Sequence, residues 1–427
     1  MKQLTRAFLW IGLGLSLAPA MAAAQTPDPG EPPAGETPPA AETPGEPAAP
    51  ATGASALQSL NPDISFIADV AGAWFSAKPP LQSGEHDPRN NGFTLQQLEL
   101  AASSAVDPYF RFDSFIVFKL PRPPAAGQPI GTGESGGVEI EEVYATTTSL
   151  PANLQLRVGQ FLTRFGRFNP THPHTWDFVD QPLEIGRLFS PDGNRGLGFE
   201  LSYLTPLPWY VELVGSVTQD SEVDVSHWGN LQATVALKQF FSLSDDWSLM
   251  WGLSGLAGAD PSEPADPDGR AQVAGTDVYL KYRPLSGGSY TIVSLQAEWF
   301  YRRRPDVIVA PPALERETLH DTGGFAALFW RFAQRWATAA RWELGTPSRT
   351  GAGAVIPHCG MDNPMCIDEA FLDTVQRVSA NLTFWPTEFS RIRVQGAAAL
   401  PGGGRDTEWS VMTAFEFAVG AHGAHTF

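Results

Sequence analysis

Residues 168–183, FNPTHPHTWDFVDQPL, set titratable side chains close together, with Glu184 and Arg187 directly behind. His172 and His174 stand one residue apart, followed by Asp177 and Asp180. Imidazole beside carboxylate suits a transition metal of the zinc type, which makes His172, His174 and Asp177 a candidate ligand set. Pro173, between the two rings, can splay them, so the H-x-H spacing does not settle the matter. The same side chains suit two other tasks: lining or anchoring a loop beside water, or acid–base catalysis. The catalytic reading lacks a nucleophile with a base and an orienting group. Cys359 and Cys366, in CGMDNPMC, are the two cysteines of the chain. They are expected to close a small disulfide loop in an oxidising compartment; a metal pair is the alternative, although zinc favours tighter spacing and further ligands. GTGESG, residues 131–136, follows no βαβ unit and reads as a flexible loop rather than a phosphate cradle.

The start of the chain bears on where such groups would work. MKQLTRAFLWIGLGLSLAPAMAAAQ has a basic n-region, a short apolar core and an A-x-A site, so residues 1–24 are expected to be a secretory signal. Residues 25–56 are Pro, Ala, Gly, Glu and Thr without an aromatic side chain, and they read as a disordered periplasmic linker. Loss of Lys2 and Arg6 leaves 28 − 2 = 26 basic against 46 acidic residues, a net charge of 26 − 46 = −20. That balance argues against nucleic acid as a partner.

From residue 57 to 427 the repeating signal has period two. In TIVSLQAEWFY, residues 291–301, Val293, Leu295, Ala297, Trp299 and Tyr301 share one face, and Ser294, Gln296, Glu298 and Phe300 the other. Strands are expected at 63–76, 92–106, 108–119, 136–149, 152–164, 194–204, 207–219, 231–242, 246–258, 271–283, 289–302, 320–332, 335–345, 371–385, 388–399 and 408–427. Short turns such as VDPY, TPLP and FAQRW alternate with longer loops. Long loops at one end, short turns at the other and an even strand number describe a transmembrane barrel: an all-β antiparallel fold of about 16 strands. Aromatic residues at strand ends read as girdles, with Trp209, Tyr210, Trp247, Tyr290, Trp336 and Trp385 near the short turns. Trp74, Phe165, Trp299, Tyr301, Trp342 and Trp409 are assigned to the other rim.

The block VGQFLTRFGRFNPTHPHTWDFVDQPLEIGRLFSPDGNRGLGFELSYLTPLPWYVELVGS, residues 158–216, and the terminal GAHGAHTF carry a family resemblance. The chain resembles Gram-negative outer-membrane porins of the broad porin O/P-like group. Its nearest likeness is to barrel proteins labelled zinc-regulated or TonB-dependent outer-membrane receptors. A TonB-dependent receptor would need 22 strands and a plug, and residues 25–56 leave no room for one, so the porin reading is preferred. The resemblance implies that residues 165–193, after the fifth strand, fold inward and narrow the pore. His172, His174, Asp177, Asp180 and Glu184 would then face a basic wall of Arg341, Arg377, Arg391 and Arg393, with Arg111, Lys119 and Arg157 across the barrel closure. Such a wall sets up a transverse field; alternatively these charges are neutralised locally by Asp113, Asp277, Glu298 and Glu343. The expected function is passive diffusion of small hydrophilic solutes or ions across the outer membrane. A substrate-specific uptake channel or receptor, for zinc or another transition metal, is the alternative, and a barrel enzyme the remote one. Membrane lipid, lipopolysaccharide and a homotrimer are the expected partners. No cofactor is expected unless zinc binds.

Overall fold

A computed structural model describes residues 62–121, 136–220, 231–260, 269–285, 290–309, 315–355, 368–402 and 404–420. The chain divides into two units, Met1–Thr52 and Gly53–Phe427, and every described residue belongs to the second. The expected signal, the linker, residues 131–135 of GTGESG, both cysteines and residues 421–427 of the GAHGAHTF terminus lie outside the described residues.

The strands are Asp63–Phe75 (β1), Gly92–Ala105 (β2), Phe110–Lys119 (β3), Gly137–Thr147 (β4), Leu154–Leu162 (β5), Arg195–Leu204 (β6), Tyr210–Asp220 (β7), Leu231–Ser242 (β8) and Trp247–Ala259 (β9). They continue as Arg270–Tyr282 (β10), Ile292–Val309 (β11), Glu315–Ala333 (β12), Trp336–Gly345 (β13), the two-residue Arg349–Thr350 (β14), Val375–Thr387 (β15), Ser390–Leu400 (β16) and Glu408–Gly420 (β17). Of these 17, β14 is an outlying extension paired with β12, which leaves sixteen wall strands. Each wall strand pairs antiparallel with its neighbours in sequence, and β1 closes the ring on β17 from Ser65↔Gly420 to Phe75↔Ser410. Closure removes every open edge.

Period two decides which residues face outward. On β16, Val394 is 48% exposed while Arg393 beside it is 1% exposed. On β17, Val411, Phe415, Phe417 and Val419 point out, while Met412, Ala414, Glu416 and Ala418 are buried. An outer belt of this kind, continued by Leu197, Phe199, Leu201, Leu253, Leu328 and Leu382, would be an intolerable patch in water and is the lipid-facing band of a membrane-spanning barrel. Trp209, Tyr210, Trp247, Tyr290 and Trp336 are exposed at the short-turn rim; Trp74, Trp299, Tyr301, Trp342 and Trp409 are exposed towards the other. Two girdle assignments are corrected. Phe165 is fully buried inside the barrel, and Trp385 faces an interior cavity beneath Arg331.

The strand boundaries follow the sequence pattern closely except at β11, at β12 and at the start of β15, where Asp368–Leu372 is a 3-10 turn and the strand begins at Val375 rather than at 371. β11 runs on to Val309 and β12 runs from Glu315, so residues 303–309 and 315–319, which read as loop, are paired strand. Above the membrane a strand no longer needs an apolar face, so its alternation fades while its pairing persists.

Candidate functional site

Residues 163–194 leave β5 at Leu162 and re-enter the wall at Arg195, folding into the barrel between. Apolar side chains anchor them there. Phe165, Ile185, Leu188 and Phe189 pack on Leu256, Val273 and Phe300; Leu183 packs with Leu81, Phe371 and Val375; Val179 packs with Ala71, Phe75 and Met412. The short helix Leu183–Leu188 (α1) fits against β12 and β13 where Gly323 and Gly345 leave room. A Cβ on either glycine would collide with the Glu184 carboxylate.

Backbone in this setting must find partners, because irregular chain at membrane depth survives only where it is packed on protein or lines water. The arginine wall supplies donors. Arg391 donates to the carbonyls of His174 (2.6 Å) and Trp176 (3.0 Å), and Arg393 to those of Trp176 and Phe178 (2.8 Å each). Arg341 donates to the Asp180 carbonyl at 2.8 Å and Arg377 to that of Gln181 at 2.9 Å. The amides of Val179 and Leu183 donate in return to Gln395 and Glu343. The four arginines therefore clamp the loop instead of standing open to the lumen. Their charges are met by Asp180, Glu343, Glu416 and Asp69.

His172 and His174 lie at another part of the wall. His172 stacks on Phe115 at 4.5 Å between ring centroids. Its Nε2 donates to Glu142 at 2.8 Å, and its Nδ1 faces Glu141 at 3.3 Å and Glu99 at 3.5 Å. His174 Nδ1 is 3.8 Å from Glu99, and His86 Nε2 is 3.8 Å from Glu141. Two β-bulges build this cluster. On β4 the register skips Glu141 between Phe115↔Glu142 and Ile116↔Ile140, so the successive residues Glu141 and Glu142 are both buried inside. On β2 the skip falls at Gln96, so Gln96 and Gln97 both turn inward; the Gln96 carbonyl meets His86 Nδ1 at 2.8 Å, and Gln97 donates to Glu99. Burial alone would lower the His172 pKa, but the Glu141 and Glu99 carboxylates outweigh it and hold the imidazole well above its ordinary value.

Asp177 is not among these groups. It is exposed on a cavity of about 390 Å³ whose wall includes Arg167, Phe168, Trp176, Lys281, Arg331 and Trp385. Ile292, Lys281 and Arg331 lie at strand ends beside short connections, so the cavity is on the short-turn side of the loop. Arg167 rests over Tyr279 at 3.8 Å and Arg331 over Trp385 at 5.3 Å. His172 also reaches this cavity from its own side.

The expected constriction set is thus divided. Asp180, Arg341 and Arg377 form one buried ionic group; Arg391 and Arg393 hold the preceding segment through its carbonyls. Glu184 pairs with Arg187 at 3.3 Å near Asp321 and Arg302. Arg157 lies over Tyr144 and 3.8 Å from Glu200, while Arg111 is exposed near the short turn with Asp113. Lys119 pairs with Glu85 and Glu139. Glu99, Glu141, Glu142 and His86 were not singled out by the sequence reading. The adjacent polar pairs QQ and EE inside otherwise alternating strands were the available signal.

The chain matches no family profile. It is similar to an uncharacterized protein of Aquifex aeolicus (strain VF5), 30% identical over 407 residues, covering 86% of this chain and 80% of that one. Among solved structures, OprB of Pseudomonas putida superposes with a TM-score of 0.53 at 12% identity, covering 86% of this chain and 96% of that one. The outer-membrane channel DcaP of Acinetobacter baumannii does so with a TM-score of 0.52 at 12% identity, covering 84% and 97%. At such identities the likeness is one of fold: a sixteen-stranded barrel of the outer-membrane type.

Proposed function

The chain belongs to the family of that Aquifex aeolicus protein, and we propose that it is an outer-membrane channel through which small hydrophilic solutes diffuse passively. The observation that carries this reading is the inward segment 163–194, clamped by Arg341, Arg377, Arg391 and Arg393 across a closed barrel and bordered by a polar cavity. A segment held at that depth sets the bore of whatever passage remains.

The cavity lining favours anions. It carries Arg167, Lys281 and Arg331 against Asp177, while the other charged side chains that border it meet counter-charges in the clamp, Arg341 with Asp180 and Arg391 with Glu416. Low-dielectric walls focus such an excess and raise the local anion concentration. The His172 and His86 imidazoles meet carboxylates and a carbonyl rather than a hydroxyl nucleophile, which supports a channel over a barrel enzyme. The same reading makes membrane lipid and lipopolysaccharide the outer partners and a homotrimer the assembly.

The test is the reversal potential of the purified protein in a planar bilayer under a KCl gradient. Discrete current steps with a chloride-favouring potential are expected. Steps with a potassium-favouring potential would remove the anion preference, and absence of steps from folded protein would remove the channel.

A further inference from the structure

Across the described lumen, buried carboxylates commonly meet guanidinium or ammonium groups: Asp180 with Arg341 and Arg377, Glu416 with Arg391, Asp321 with Arg302, Asp277 with Lys238. Glu99, Glu141 and Glu142 differ. Among the described residues, their ion-pair partners within 4 Å are imidazoles alone, those of His86, His172 and His174. Three carboxylates, none more than 5% exposed, share this small space. Glu99 Oε1, Glu141 Oε2 and His172 Nδ1 are buried and accept or donate no hydrogen bond among the described residues. Orphaned buried polar atoms are costly, and two of these, Glu141 Oε2 and His172 Nδ1, face each other at 3.3 Å with Glu99 Oε2 at 3.5 Å from the same nitrogen, which points to a missing partner.

The geometry says which partner. One donor atom from each of Glu99, Glu141 and His172 lies within 4.8 Å of the others, and His172 Nδ1 stands 3.3 and 3.5 Å from the two carboxylates. Those separations are long for hydrogen bonds. They match the spacing of about 3.3 Å between donors that sit roughly 2.0–2.1 Å from one tetrahedral zinc. The outer contacts match as well. His172 gives its other ring N–H to Glu142, and Glu99 accepts from Gln97 at 2.6 Å, which are the supports that orient metal ligands. His174, 3.8 Å from Glu99, stands beside these three ligands, and the cavity beside His172 offers a route inward.

We propose that Glu99, Glu141 and His172, joined by His174, bind one divalent transition cation of the zinc type, which pins the inward loop to β2 and β4. The cation is a structural latch between loop and wall, and it does not require that the channel transport metal. It ties the HPH segment to strands that the arginine clamp, on β13, β15 and β16, does not reach.

The test uses the full protein in detergent, stripped with chelator and titrated with Co²⁺, with Zn²⁺ as competitor. Heat-modifiable gel mobility reports folding of each variant. One Co²⁺ per barrel with visible d–d absorption, displaced by Zn²⁺, is expected. Glu142→Gln should weaken binding by about 10–100-fold, and Glu99→Gln with His172→Gln should abolish it. Asp177→Asn, away from the cluster, should bind as the parent does. Zn²⁺ should also slow hydrogen exchange at residues 168–178 in the parent but not in the double variant. If the double variant fails to assemble, Glu142→Gln and His174→Ala carry the comparison. Folded parent protein that binds no Co²⁺, or folded variants that bind as the parent does, would leave a plain imidazolium–carboxylate cluster and overturn the proposal. Binding without slower exchange would overturn the latch.

Discussion

Arg341 holds Asp180 twice, donating to its main-chain carbonyl at 2.8 Å and to its carboxylate at 2.6 Å. One guanidinium thereby fixes both the path of the inward loop and the charge it carries. The second carboxylate oxygen of Asp180 meets Arg377 at 2.9 Å, and no part of Asp180 reaches solvent. Asp180→Asn would leave two buried cations short of their counter-charge, at a cost of about 3–5 kcal/mol to loop docking. Hydrogen exchange should then quicken through residues 176–190 while the wall strands stay protected. Parental exchange in that segment would show that the clamp does not depend on this pair.

Asp177, three residues earlier, should behave differently because it is exposed on the cavity rather than paired in the wall. Asp177→Asn should leave the loop docked and shift ion preference further towards anions, measured as a change in reversal potential. The shift should shrink in concentrated salt, where screening falls to about 3 Å near 1 M. A change that persists undiminished at high salt would not be electrostatic in origin.

Strand parity can be tested at one neighbouring pair. Val394 faces lipid and Arg393 is buried in the lumen with Asp69 and Glu416. Val394→Arg should destabilise the barrel by about 2–4 kcal/mol at mid-depth, measured by equilibrium refolding into vesicles. Arg393→Ala should instead loosen the loop at Trp176 and Phe178, whose carbonyls it holds. If the two variants act alike on barrel and loop, the assigned faces are wrong.

Most of the wall was legible because a barrel strand repeats one rule, apolar out and polar in, and Val394 beside Arg393 obeys it. What the sequence could not reveal lies where that rule breaks. The bulges at Gln96 and Glu141 put two successive side chains on one face, so His172 meets Glu141 and Glu99, residues far from it in the chain, and Asp177 does not join it. Phe165 and Trp385 show a second limit, since an aromatic ring near a strand end looks the same whether it anchors in lipid or packs inside. The arginine wall was visible as charge, but its work is done on backbone carbonyls, which carry no sequence signature.

Glu184 gives the docked loop a pH dependence. Burial pushes its carboxyl up to about 7, against the pull of Arg187. The folded state therefore binds this proton more tightly than an unfolded glutamate, whose pKa is near 4.3. Docking should weaken as pH rises from about 4.3 through 7 and level off above, a loss on the order of 4 kcal/mol at about 1.4 kcal/mol per unit. Glu184→Gln should remove that slope in hydrogen exchange of residues 183–188 compared at acidic and alkaline pH. An equal slope in the variant would assign the dependence to other groups.

The central claim is that residues 163–194 set the bore of a conducting barrel. The most direct measurement is single-channel conductance of the parent and of a variant lacking residues 165–193, side by side in planar bilayers after both pass the heat-modifiable mobility test. The account predicts discrete steps from the parent and larger steps from the deletion. Equal steps from both, or none from either, would contradict it.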